Sequence, residues 1–124
     1  PQIPLPVKLL EQLELIEKEE LWQKNKNKLY YSKLTDIIWR YIEYRYGVAT
    51  FEKTSNEILS KLKLKAISGD HQILISKLFR LADMVKFAKT LPSAQENEEA
   101  IIIVRNTIQE TRNDLKTTPK KEQK

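Results

Sequence analysis

The sequence contains no cysteine in 124 residues, which excludes disulfide bonds, thiolate zinc sites and thiol catalysis. Only two glycines occur, too few for the glycine-rich loop that cradles phosphates in nucleotide-binding proteins. The longest apolar run covers residues 100–104, far below the roughly 20 residues that a helix needs to cross a bilayer. The one histidine, His71, has no second histidine with which to form a metal site. We therefore expect neither a bound metal nor a cofactor.

Basic residues outnumber acidic ones, and most of the excess lies at the C-terminal end. The formal net charge is +5, from 22 basic and 17 acidic side chains. Residues 112–124 hold five of the basic and two of the acidic ones, so the rest of the chain is nearly neutral. Almost nothing apolar follows Leu115, so we expect residues 117–124 to form a disordered basic tail. The lysines at residues 24–28 and 61–65 are typical of a solvated surface.

Hydrophobic periodicity predicts an all-α fold, a single-domain bundle of about five helices joined by short turns. A proline-rich spacer at residues 1–6 precedes a helical domain over residues 7–116. The first two helices are predicted at residues 7–23 and 29–46, and Gly47 stands where a left-handed cap is expected. The third begins at the capping box of Thr54, the fourth at a cap supplied by Asp70 or Ser68, and the fifth at the capping box of Ser93.

The inner faces of the last two helices follow from the spacing of their apolar residues. Residues 101–104 are β-branched and by themselves would also fit a buried strand, but the capping box at Ser93 favours a helix. We expect Pro92 to end the fourth helix, because the residue before a proline is pushed out of helical space. The positions predicted to face inward are Leu74, Leu78, Leu81, Val85 and Ala88, then Ile101, Val104, Ile108 and Leu115.

Candidate catalytic groups are sparse. The glutamates within residues 17–20 and 96–99 lie on highly charged stretches, whereas a general acid or base needs a desolvated cleft. No nucleophile motif surrounds a serine or threonine. His71 is expected to be an exposed residue at a helix start. The sequence therefore predicts that the chain is not an enzyme.

Five segments together resemble the cytoplasmic C-terminal helical domain of an uncharacterised family of bacterial single-pass membrane proteins. They are LWQ at 21–23, YYSKLTDIIWRYIEYRYG at 30–47, FEKTSNEIL at 51–59, LADMVKFAK at 81–89 and PSAQENE at 92–98. The resemblance covers roughly residues 7–108. The family is similar to the small envelope proteins encoded near von Willebrand-type A domain proteins and MoxR-type AAA+ ATPases in Bat-like clusters. It has no established catalytic residues to transfer.

The resemblance implies an adaptor-like domain of a membrane-anchored envelope protein, on the cytoplasmic side of the bacterial inner membrane. The chain would then be a soluble fragment with its transmembrane anchor before Pro1. The implied partner is a cytoplasmic protein, such as a MoxR-type ATPase system. Dense aromatics and an Asp-x-x-Lys-Phe group suggest where that partner binds. The predicted contact residues are Trp39, Tyr44, Asp83, Lys86 and Phe87.

The alternative is a helix-turn-helix DNA-binding domain. The short helix after Thr54, the turn at Gly69 and the longer helix that follows have the order of that motif. The candidate recognition helix carries only Lys77 and Arg80 before Lys86, which is thin for contacting phosphates and base edges. Nucleic acid is therefore not the favoured partner.

Overall fold

Five α-helices form most of residues 2–115, the part of the chain that the computed structural model describes. They are α1 (Leu5–Glu19), α2 (Asn27–Tyr46), α3 (Ser55–Leu62), α4 (Gly69–Phe87) and α5 (Ala94–Thr111). With no strand in that range, the prediction of an all-α bundle of about five helices is confirmed. None of these helices combines the length and apolar character needed to span a bilayer. The predicted tail at residues 117–124 lies outside the described residues.

Helix α2 is the centre of the bundle. It packs against α1, α4 and α5, and α5 in turn contacts α1 and α4. We call these four helices the four-helix core. Helix α3 packs on α4 at the edge of these four helices, and its Ile58 and Leu62 are fully buried in the same hydrophobic core. The largest fully buried side chains are Tyr31 and Tyr41 of α2 and Phe79 of α4, so aromatic rings fill the centre of the molecule.

Hydrogen bonds from buried tyrosines join α2 to α5. The hydroxyl of Tyr31 donates to Oδ1 of Asn97 at 2.7 Å, and that of Tyr30 donates to the Asn97 carbonyl oxygen at 2.6 Å. Burial raises the pKa of both tyrosines well above the ordinary value, because the phenolate form is poorly solvated there. Tyr41 and Thr111 add a third link, with their hydroxyl oxygens 2.6 Å apart.

Helix α1 is shifted toward the N-terminus relative to the prediction of residues 7–23. It begins at Leu5 and carries Pro6 in its first turn, where the missing N–H has no helical partner to lose. It ends at Glu19 because Glu20 adopts a left-handed conformation with φ 53°. The chain then turns until α2 begins at Asn27.

The predicted caps of the next helices are confirmed. Gly47 has φ 68° and donates its N–H to the Glu43 carbonyl oxygen, which ends α2. Thr54 and Glu57 form the expected capping box at the start of α3. Ser68 caps α4 by accepting the N–H of His71 at 3.1 Å.

Helix α4 ends earlier than the position of Pro92 predicts. Its last residue is Phe87, and Lys89 then adopts a left-handed conformation with φ 54°. The chain therefore leaves the helix before the proline exerts its effect. Helix α5 begins at the Ser93 capping box, and residues 101–104 are helical as expected.

Three of the predicted inward positions are wrong. Leu74 is 39% exposed near the start of α4, where Ile75 is buried instead. Ala88 follows the end of α4 and is exposed. Leu115 is 59% exposed because α5 ends at Thr111. Each error arises at the end of a helix, where periodicity continues but neighbouring helices no longer cover the chain.

Candidate interaction surface

Lys86 of α4 contacts two residues of α2. Its Nζ lies 5.3 Å from the ring centroid of Trp39 and donates a hydrogen bond of 3.3 Å to Oγ1 of Thr35. Burial lowers the pKa of Lys86, and the negative charge of Asp83 partly opposes this shift. The cation is half-buried against an aromatic face, an arrangement that stabilises helix packing. Lys86 is therefore less available to a partner than the sequence suggests.

Asp83 and Lys86 stand three residues apart on α4, but they do not form an ion pair. No salt bridge joins these two described residues, since the ammonium group of Lys86 is directed toward α2. Asp83 is half-exposed and lines the cavity between α3 and α4. Helical spacing alone allows this pair, but the Trp39 ring offers Lys86 a competing partner.

A groove runs between α3 and α4, and Phe87 stands at one end of it. A cavity of about 590 Å³ opens between the two helices, with Leu59 on one wall and Asp83, Met84 and Phe87 on the other. Phe87 is 79% exposed. The groove thus presents an unburied aromatic ring beside a concave, partly apolar surface, the composition favoured at the centre of protein contacts.

The groove continues along α4 toward its N-terminus. A second cavity of about 600 Å³ shares Asn56, Leu59 and Ser76 with the first and extends to Ile73, which is 68% exposed. Ile73 and Phe87 are fourteen residues apart on α4, a separation of about 21 Å. We call the surface between them, with Leu59 and Met84, the α3–α4 groove. It could accept three or four turns of a helix.

The structure divides the five predicted contact residues among different places. Asp83 and Phe87 line the α3–α4 groove, whereas Lys86 and Trp39 contact each other on the side of α4 that faces α2. Tyr44 of α2 is 46% exposed and does not line this groove. The structure therefore brings together only two of the five at an open surface.

Sequence reasoning missed the groove residues Leu59, Ile73 and Met84. Leu59 lies on the short third helix, and the other two lie off the predicted inner line of α4. The sequence carries one signal that could have indicated them, because α4 has more large apolar residues than one helix face can bury. Such a surplus indicates a second apolar face.

The basic residues of α4 are mostly engaged within the domain. Nζ of Lys77 lies 2.9 Å from Oε1 of Glu99, and Lys86 contacts Trp39. Arg80 is exposed and is directed toward the sulfur of Met84 at 3.8 Å. A recognition helix needs several free cations for phosphates, and α4 offers few.

His71 is less exposed than expected for a residue at a helix start. Its Nε2 lies 2.9 Å from Oε1 of Glu110, and its Nδ1 lies 2.7 Å from Oγ of Ser68. Only 17% of its side chain is accessible. The imidazole therefore bridges the start of α4 and the end of α5, and this contact explains its burial.

Comparisons with protein-family models, with curated proteins and with solved structures found no match to this chain.

Proposed function

We propose that this chain is a non-enzymatic, adaptor-like domain that binds a protein partner in the α3–α4 groove. The observation that carries the proposal is the exposed ring of Phe87 at the end of a groove lined by Leu59 and Met84. Scattered apolar residues are normal on protein surfaces, but a partly apolar groove with an exposed aromatic ring at its end is typical of a binding site.

The cellular setting is part of the same proposal and rests on the family resemblance. In it, the domain lies on the cytoplasmic side of the bacterial inner membrane, tethered by an anchor elsewhere in the full-length protein. The partner would be a cytoplasmic protein, and a MoxR-type ATPase is the first candidate to test. Helix-in-groove binding suits this surface because the groove is about as long as a helix of fourteen residues.

The matched substitutions Phe87→Ser and Phe51→Ser test the proposal. Both phenylalanines are 79% exposed, so neither change should alter stability by more than about 0.5 kcal/mol. Phe87→Ser should weaken partner binding at least about tenfold, whereas Phe51→Ser should leave it unchanged. The measurement is calorimetric titration with a purified MoxR-type ATPase, or with a cytoplasmic protein captured from a host extract. Equal binding by both variants would contradict the groove as the binding site.

The helix-turn-helix alternative is less well supported, because Lys77 and Lys86 are engaged within the domain. It predicts tight binding to duplex DNA that falls steeply between about 50 and 200 mM salt. It also predicts that binding persists after deletion of residues 112–124, which hold much of the excess positive charge. A gel-shift experiment on the full chain and on the chain without residues 112–124 separates the two functions.

A further inference from the structure

Three lysines converge on a flank of α3 next to the α3–α4 groove, and Asn56 and Ser60 border both surfaces. Lys53, Lys61 and Lys65 line a cavity of about 550 Å³ together with residues 47–49. The sequence shows a lysine cluster at residues 61–65. The structure adds that Lys53, which precedes α3, lies near Lys61 and Lys65 around the same cavity. We call these three residues the α3 lysine surface.

The α3 lysine surface carries an excess of positive charge. Within residues 2–115, no salt bridge engages any of its three ammonium groups. The one carboxylate that lines the same cavity belongs to Glu57, which accepts the N–H of Thr54 at 2.8 Å. Three cations and one carboxylate leave an excess of positive charge that attracts an anionic surface.

Two large apolar side chains flank these lysines. Phe51 precedes Lys53 by two residues, Leu64 directly precedes Lys65, and each of the two apolar side chains is 79% exposed. Helix α3 has eight residues and is about 12 Å long, so the two apolar groups stand at its opposite ends. Neither group belongs to the core or to the α3–α4 groove.

We infer that α3 and its flanking loops form a surface that binds anionic phospholipid bilayers. The lysines contact the phosphates of the headgroups while Phe51 and Leu64 enter the boundary between headgroups and acyl chains. Lysine suits this position because its aliphatic stem lies along apolar surface while its ammonium reaches phosphate. A second copy of the chain fits poorly, because a two-fold contact would set lysine against lysine.

This inference does not depend on partner binding in the α3–α4 groove. None of the three lysines lines the α3–α4 groove, and neither Phe87 nor Met84 lines the lysine cavity. A substitution at Phe87 should therefore leave lipid binding unchanged, and substitutions at the lysines should leave partner binding unchanged.

Co-sedimentation with vesicles tests the inference on the full 124-residue chain. Vesicles with about 30% phosphatidylglycerol should bind the protein, and neutral phosphatidylcholine vesicles should not. Each lysine near an anionic surface contributes about fivefold in affinity, so Lys53→Ala, Lys61→Ala and Lys65→Ala together should weaken binding about a hundredfold. Phe51→Ser and Leu64→Ser should each weaken binding further.

The matched control is a triple alanine variant at Lys24, Lys26 and Lys28. It removes the same charge from another cluster and should weaken binding far less than the α3 variant. Equal weakening by the two triple variants would overturn the inference, because attraction would then follow net charge alone. All substituted side chains are exposed, and circular dichroism verifies that each variant stays helical.

Two further arms separate lipid from other sources of phosphate. Inorganic phosphate at constant ionic strength should not release the protein from vesicles; complete release would assign the site to a free anion and overturn the inference. A 20-base-pair duplex should bind more weakly than the anionic vesicles. Tighter binding to the duplex, lost with the same three lysines, would also overturn it, as would no sedimentation at about 50 mM salt.

Discussion

The four-helix core and the flanks of α3 differ in how far their apolar side chains are buried. In the core, α2 places Leu34, Ile38 and Tyr41 at complete burial and is covered by three other helices. Around α3, Phe51, Leu64 and Phe87 are each 79% exposed. Helix α3 itself buries Ile58 and Leu62, whereas its flanks and the end of α4 retain apolar groups that the fold does not bury. Surfaces of that kind are where we place binding.

Replacing one leucine in each region tests this comparison most directly. Leu34→Ala should destabilise the protein by about 2–5 kcal/mol, since it opens a cavity in the core. Leu64→Ala should change the free energy of unfolding by less than about 0.5 kcal/mol. Urea denaturation followed by circular dichroism measures both. Similar losses at the two positions would mean that the flank of α3 contributes to the stabilising core.

The buried link between α2 and α5 gives the next largest effect. Asn97→Ala should cost about 1–3 kcal/mol, because the Tyr31 hydroxyl loses its acceptor in a dry environment. Tyr31→Phe removes the donor of the same bond and serves as the partner in a double-mutant cycle. The double variant should lose less than the two single variants together. Strict additivity would show that the bond contributes nothing.

Alkaline pH should weaken the core through the same tyrosines. The pKa of Tyr30 and Tyr31 is higher in the folded protein than in the unfolded chain, whose tyrosines titrate near 10. Stability is therefore unaffected by these groups below about pH 10 and falls above it, by up to about 1.4 kcal/mol per pH unit for each group. Chemical denaturation from pH 8 to 11.5 measures the slope. An equal slope in Tyr31→Phe would contradict the assignment.

Lys86 provides a further test of the comparison, because it lies on α4, the helix that contacts both α2 and α3. Lys86→Met should cost at most about 1 kcal/mol and should shift the fluorescence of Trp39 by removing a charge near its ring. The emission is measured in a Trp22→Phe background, where Trp39 is the remaining tryptophan. Lys8→Met, at an exposed position of α1, is the control and should leave the emission unchanged.

The smallest effect is expected at the hydrogen bond between His71 and Glu110. Glu110 is 59% exposed, and a contact between polar side chains at the surface contributes little. Glu110→Gln should change the free energy of unfolding by less than about 0.5 kcal/mol at neutral pH. A loss of more than about 1.5 kcal/mol would show that this contact holds α4 and α5 together.

The order of the helices was predictable from local signals. Gly47, Thr54 and Ser93 mark helix ends through interactions within a few residues, and the structure has each of them in its expected role. The left-handed turns at Glu20 and Lys89 were not predictable, because nothing in these residue types requires a positive φ. They shortened α1 and α4 relative to the prediction.

The candidate site was predicted less well than the fold. Phe87 and Asp83 were identified from α4 alone, and they do lie at an open surface. Lys86 was misplaced because its partner Trp39 is 47 positions earlier in the chain, a distance at which spacing carries no information. The groove itself depends on how α3 packs against α4. The sequence of one helix alone therefore does not indicate the wall that the other helix contributes.

Hydrogen–deuterium exchange, on the free chain and on its complex with the captured partner, tests the division between core and α3 most directly. We predict that α2 amides exchange slowest in both states, while α3 amides exchange faster in the free chain. Binding should add protection in Ser55–Leu62 and in the last turns of α4. Slow exchange throughout α3 in the free chain, or new protection confined to α1 and α5, would contradict this account.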